Sequence, residues 1–136
     1  MTATRILLVE DEGLIRLITA DILRSEGFDV TEAWDSTEAA RLLDGIGGFD
    51  ALLTDVQMPG LGDGIDVAVH ARRRNPDVVV LILSGYAPNL RVRLAALAPA
   101  VAYIGKPYVM GEVMQVLRGL VDAAPTPPGG PGPSEG

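Results

Sequence analysis

Five short apolar runs alternate along this chain with stretches whose hydrophobic residues recur at helical spacing. The runs cover residues 5–9, 28–33, 51–54, 78–83 and 101–104, each about the length of one strand. The intervening spacing predicts helices over residues 13–25, 37–43, 64–75, 89–97 and 109–121. In the first helix Leu14, Ile18 and Ile22, with Leu17 beside them, form an apolar stripe, and Gly27 closes it as a C-cap residue. Ser36 is a good N-cap for the second helix. The third carries Ile65, Val69 and the basic patch Arg72-Arg73-Arg74, and Asn75-Pro76 stops it. The fourth, bounded by Pro88 and Pro99, is marginal in length. In the fifth, Val113, Val116, Leu117 and Leu120 share one side.

Strand-helix alternation of this kind demands a parallel sheet covered on both faces, joined by right-handed crossovers. The run at 78–83 is the most apolar and belongs in the centre, whereas 28–33 mixes in Asp29, Thr31 and Glu32 as an edge strand does. The expected architecture is a doubly wound five-stranded α/β fold of flavodoxin-like (βα)5 type, order 2-1-3-4-5, with its switch point between strands one and three. From residue 123 the chain is mostly Pro, Gly, Ser and Thr. Residues 123–136 are expected to be a disordered tail, leaving 1–122 as one domain.

Composition narrows the function. The net charge of −7 argues against direct nucleic-acid or anionic-membrane binding. No apolar run is long enough to cross a bilayer and no signal peptide opens the chain. The absence of cysteine excludes disulfides and thiol chemistry and fits a cytoplasmic protein. The glycines at 45, 47 and 48 precede a strand rather than follow one, so they read as a loop and not as a nucleotide cradle. His70, the one histidine, has no evident partner in the sequence and reads as an ordinary surface residue.

The strand ends carry the chemistry. Strand one runs into Glu10-Asp11-Glu12, strand three ends in Asp55, strand four in Ser84-Gly85, and strand five in Gly105-Lys106-Pro107. Ligands of open α/β sheets bind beyond these carboxyl ends. Asp55 alone could simply begin a turn, but the other ends change that reading. Ten of the eleven basic residues are arginine, and the single lysine, Lys106, lies where the crevice should be. Three carboxylates, Glu10, Asp11 and Asp55, repel one another unless something compensates. Hard oxygen ligands suit Mg2+, which takes one or two carboxylates and keeps several waters. With a lysine opposite and the Ser84 hydroxyl nearby, such a site would bind a phosphoryl group, and Asp55 could act as its nucleophile.

These residues resemble the receiver domain of bacterial two-component response regulators. The resemblance runs from residue 4 to about 121. It rests on Leu7-Leu8-Val9-Glu10-Asp11-Glu12, Leu53-Thr54-Asp55-Val56-Gln57-Met58-Pro59-Gly60, Ser84-Gly85 and Tyr103-Ile104-Gly105-Lys106-Pro107-Tyr108. It implies that Asp55 accepts a phosphoryl group from a phosphohistidine of a histidine kinase or phosphotransfer protein. It implies Mg2+ held by Asp11, Asp55 and the Gln57 backbone carbonyl, with Glu10 helping through water. Lys106 would pair with the phosphoryl oxygens and Ser84 would turn to meet them. Tyr103 would then change rotamer, and the helix 4–strand 5–helix 5 surface would switch to control a downstream protein or form a homodimer. The domain would promote its own phosphorylation and dephosphorylation without being an enzyme on another substrate. A cis Lys106–Pro107 bond is also implied. Ser84-Gly85-Tyr86-Ala87 with Lys106-Pro107-Tyr108 looks like receivers joined to, or partnered with, hybrid sensor kinases.

Departures are few: Glu10 stands where Asp is commoner, Ser84 replaces the commoner Thr, and the turn at 60–64 looks one residue longer. Two rival readings are a dehalogenase-type phosphatase and an interaction module that never takes phosphate. The first needs a second Asp two positions after the nucleophile, where Gln57 stands, and a cap domain for which there is no room.

Overall fold

A computed structural model describes residues 3–85 and 89–124. The elements are β1 (Arg5–Val9), α1 (Gly13–Ser25), β2 (Asp29–Ala33), α2 (Ser36–Gly45), β3 (Ala51–Asp55), α3 (Gly64–Arg74), β4 (Val79–Ser84), α4 (Leu90–Ala95), β5 (Val101–Gly105) and α5 (Met110–Ala123). All neighbouring strands are parallel, in the expected order β2-β1-β3-β4-β5. Burial follows that order. β3 and β4 are buried at every position, β2 buries only Val30 and Ala33, and β5 is largely open.

Two cores flank the sheet because successive strand residues point to opposite faces. Leu7, Val9, Leu52, Val80 and Ile82 pack under α2, α3 and α4 with Leu42, Ile65, Ala68, Leu94 and Leu97. Ile6, Leu8, Leu53, Leu81 and Leu83 pack under α1 and α5 with Ala20, Leu23, Val113 and Leu117. The fifth helix uses the side expected of it, Val116 and Leu120 lying half-buried against this second core. It also continues through Ala123, so that residue belongs to the helix and not to the tail. Ala124 also packs against the second core, and residues 125–136 of the proposed tail lie outside the described residues, as do Tyr86, Ala87 and Pro88.

Three local expectations are corrected. The apolar stripe of α1 is not its buried face: Leu14, Leu17 and Ile18 are 71%, 57% and 51% exposed. The helix instead buries Thr19, Ala20 and Leu23, a side slim enough to lie close against the sheet. Ser36 is not the N-cap of α2. Asp35 is, its carboxylate accepting the Glu38 N–H at 2.8 Å, and Ser36 is the first helical residue. His70 has a partner: its Nε2 lies 2.8 Å from Asp44 Oδ1 on α2, 26 residues back in the chain. Gly27 follows the end of α1 with φ +96°, as a C-terminal glycine should.

Candidate functional site: an acidic crevice at the strand ends

Parallel strands bring all their carboxyl ends to one edge, and a cavity of about 340 Å³ opens there. Glu10, Asp11, Asp55, Gln57, Ser84 and Lys106 all line it. Ligand oxygens of Glu10, Asp11 and Asp55 lie within 4.8 Å of one another. Asp55 is 5% exposed, at the end of a strand hydrogen-bonded on both sides. Lys106 Nζ reaches across from the β5 end to within 2.7 Å of Asp55 Oδ1. This contact is an ion pair without hydrogen-bond alignment, and Oδ1 is left buried with no aligned donor. A buried anionic oxygen in that condition calls for a further positive partner. The oxygen-only donor set fits Mg2+, with Asp11 and Asp55 as direct candidates and Glu10 behind them. The Lys106–Pro107 bond is cis.

The electrostatics record the crowding. Burial, followed by a hydrogen bond with Asp55, pushes the Glu10 carboxyl up to about 8, so in the metal-free protein it holds a proton at neutral pH. The Glu12 N–H, 2.9 Å from Glu10 Oε2, opposes that shift in part. Burial works against the Lys106 charge, but the paired Asp55 carboxylate, with Glu10 behind, outweighs it and raises the ammonium. Tyr108, after the β5 end, is raised by burial first and by the Asp55 charge second.

Backbone contacts under Asp55 fix where its carboxylate stands. Gly64, the first residue of α3, lies so close that a Cβ there would collide with the Asp55 carbonyl. Its N–H donates to the Val56 carbonyl at 2.7 Å, closing the loop that leaves β3. The extra length noticed in the turn at 60–64 therefore ends in a glycine that close packing requires. Asp63 caps α3 in a capping box with Asp66. It also receives Arg93 of α4 in a bidentate pair at 2.6 and 3.0 Å. Burial of Asp63 is more than offset by that guanidinium and the capping N–H groups, and its carboxyl is lowered.

Of the residues singled out from sequence, Tyr103 alone stands outside the cavity, on β5 and 44% exposed. Ser84 is 6% exposed and meets Gly105 across the β4–β5 ladder. Several structural partners of the site were not legible. Arg16 donates to the Glu10 carbonyl at 3.0 Å and pairs with Glu32. Arg72, one of three consecutive arginines, turns inward and donates to the carbonyls of Val78, Leu97 and Ala100 at 2.7, 2.6 and 2.8 Å. The Asp63–Arg93 pair spans 30 residues, beyond the reach of any local pattern.

Comparison with known proteins agrees with this geometry. The family model described as the response regulator receiver domain matches residues 6–118. The chain is 39% identical over 121 residues to the chemotaxis protein CheY of Pseudomonas aeruginosa, covering 87% of this chain and 93% of that one. A response regulator receiver protein from Sinorhizobium medicae superposes with a TM-score of 0.79 at 27% identity, covering 89% and 96% of the two chains. The receiver domain of the hybrid histidine kinase CckA superposes at 0.72 with 31% identity, covering 86% and 98%. The chain spans 12% of the sensor kinase CckA of Brucella abortus and 55% of the transcriptional regulatory protein PdtaR of Mycobacterium tuberculosis.

Proposed function

The chain belongs to the response regulator receiver family, the phosphoacceptor domains of two-component systems, and from that premise we propose that Asp55 is its phosphoacceptor. The donor is a phosphohistidine on a histidine kinase or phosphotransfer protein. One observation carries the reading. The buried Asp55 carboxylate faces a cavity, 2.7 Å from the chain's one lysine, with the Glu10 and Asp11 carboxylates beside it.

An Asp55 carboxylate oxygen attacks phosphorus while the P–N bond to the donor imidazole breaks. The imidazole nitrogen keeps the bonding pair and takes a proton from solvent. A carboxylate nucleophile needs no base, so positioning and charge neutralisation make up most of the catalysis. Mg2+ would supply that neutralisation when bound; Asp11, Asp55 and the Gln57 carbonyl would hold it, with Glu10 helping through water. Lys106 moves from the Asp55 oxygen to a phosphoryl oxygen. Water attack on phosphorus in the same site breaks the P–O bond to Asp55, releasing inorganic phosphate and the free carboxylate, so the domain promotes both its own phosphorylation and dephosphorylation. The exposed apolar residues of α1, Leu14, Ile15, Leu17 and Ile18, suit docking of an apolar helix of the donor, since Ile15 also lines the cavity.

The output follows from the same charges. Ser84 turns towards the phosphoryl group and Tyr103 swings inward from its exposed position. The face made by α4, β5 and α5 thereby changes, for a downstream protein or a second copy of the chain. The unit that does this is the domain that α5 closes at Ala123, in the cytoplasm, in keeping with the lack of cysteine. No helix among the described residues is long and apolar enough to cross a membrane.

Incubation with Mg2+ and acetyl phosphate, read by intact mass, tests the assignment. The wild type gains one labile phosphoryl group and Asp55→Asn gains none. Labelling of Asp55→Asn at the wild-type level contradicts it, sustained turnover indicates a phosphatase, and no labelling of the wild type indicates an interaction module.

A further inference from the structure

The loop that leaves β3, residues 56–63, is held to α2 by one buried side chain. Ser36 is 5% exposed. Its N–H and its Oγ both donate to the Pro59 carbonyl, at 3.1 and 3.2 Å, and Oγ accepts the Gly62 N–H at 3.2 Å. Between those two anchor points Gly60 adopts φ +119°, and a Cβ there would collide with the Ser36 hydroxyl. Because Asp35 caps the helix, the Ser36 hydroxyl is free for the loop. The loop's ends are fixed separately, by the Gly64 N–H on the Val56 carbonyl and by Arg93 on Asp63. Its middle, with glycines at 60 and 62, would otherwise have wide backbone freedom.

We propose that Ser36 is a positioning residue for the phosphoryl site, fixing the loop that presents the Gln57 carbonyl beside Asp11 and Asp55. The inference rests on the reading of the site given above. Mg2+ demands near-octahedral geometry and tolerates displaced ligands poorly. A carbonyl on a loop stitched two and five residues downstream is preorganised, and one on a loose loop is not.

The test compares wild type with Ser36→Ala by Mg2+ titration followed through amide NMR shifts, together with hydrogen exchange at Gly62. Loss of the hydroxyl should accelerate Gly62 exchange and weaken Mg2+ binding roughly fivefold, about the worth of one net hydrogen bond. Exchange at Leu81 and Ile82, deep in β4, should stay unchanged, which separates a loop effect from general destabilisation. Should Ser36→Ala fail to fold, Gly60→Ala pushes the loop off the same hydroxyl and should weaken Mg2+ likewise. Unchanged Mg2+ affinity in a folded variant overturns the inference while leaving the site reading intact. A wild type that binds no Mg2+ overturns both.

Discussion

Strands β3 and β4 are buried at every position, whereas β5 exposes Tyr103 and Gly105, and the neighbouring α4 buries Leu94 alone. The two regions meet along one ladder, Ser84 lying opposite Gly105. On the central side a carboxylate is set on a strand that cannot shift without opening two cores. On the edge side α4 has six residues, no side-chain N-cap and a polar tether through Arg93 to the α3 cap. The difference teaches where a charge added at Asp55 can be felt. With Asp55 as the proposed phosphoacceptor, the packed centre should hold it still and the response should fall to the element with least buried surface to lose.

The contrast breaks if the two regions prove equally costly to damage. Leu81→Ala, at a fully buried β4 position, should cost about 2–5 kcal/mol in urea unfolding. Leu94→Ala should cost clearly less, because α4 can settle into the space it leaves. Equal losses would show that α4 is as firmly packed as the centre.

A second test sharpens the central side through pH. Glu10 is raised in the folded protein from 4.5 to about 8. The native state therefore binds more protons than the unfolded chain between those values, and stability must fall as pH rises through that window. The contribution is fully present below 4.5, and one group gives a slope of at most about 1.4 kcal/mol per pH unit. Mg2+ favours the ionised form, so its affinity should rise across the same window and its presence should flatten the stability profile. Calorimetric melting from pH 5 to 8, with and without Mg2+, reads both. A metal-free profile that rises over that range contradicts the assignment of the proton to Glu10.

The tether gives the smallest effect. Arg93 and Asp63 are 36% and 29% exposed, so solvent screens much of their attraction. Arg93→Ala should quicken amide exchange at Leu94 and Ala95 about two- to fivefold, the worth of a half-exposed pair. Asp63→Asn should do the same while keeping the cap on α3, since Asn caps as well as Asp. Unaltered α4 exchange in both variants would leave Arg93 without a holding role.

How much of this could be read beforehand depends on the distance over which each feature is determined. Continuous apolar runs identify buried parallel strands, and parallel strands necessarily gather their ends. Glu10, Asp11, Asp55, Ser84 and Lys106 could therefore be brought together on paper, and they line one cavity. Helical faces are another matter. Periodicity reveals that α1 has an apolar stripe but not whether a core or a partner covers it, and the small Thr19–Ala20 side won the sheet. Asp35 and Ser36 are adjacent and both suited to cap α2. The turn around Gly60, contributed from 23 residues away, decides that Ser36 serves the loop. Arg72, Arg73 and Arg74 look alike as a run, and only the carbonyls of Val78, Leu97 and Ala100 distinguish the first.

The most direct test of the relation between the two regions is amide hydrogen exchange on the whole chain, with and without Mg2+ and beryllium fluoride as a phosphoryl mimic. The expected change is concentrated in α4 and β5, from Leu90 to Gly105, while the buried strands β1 and β3 exchange as before. Changes confined to α1 and α2, with Leu90 to Ala95 unaffected, would contradict the account.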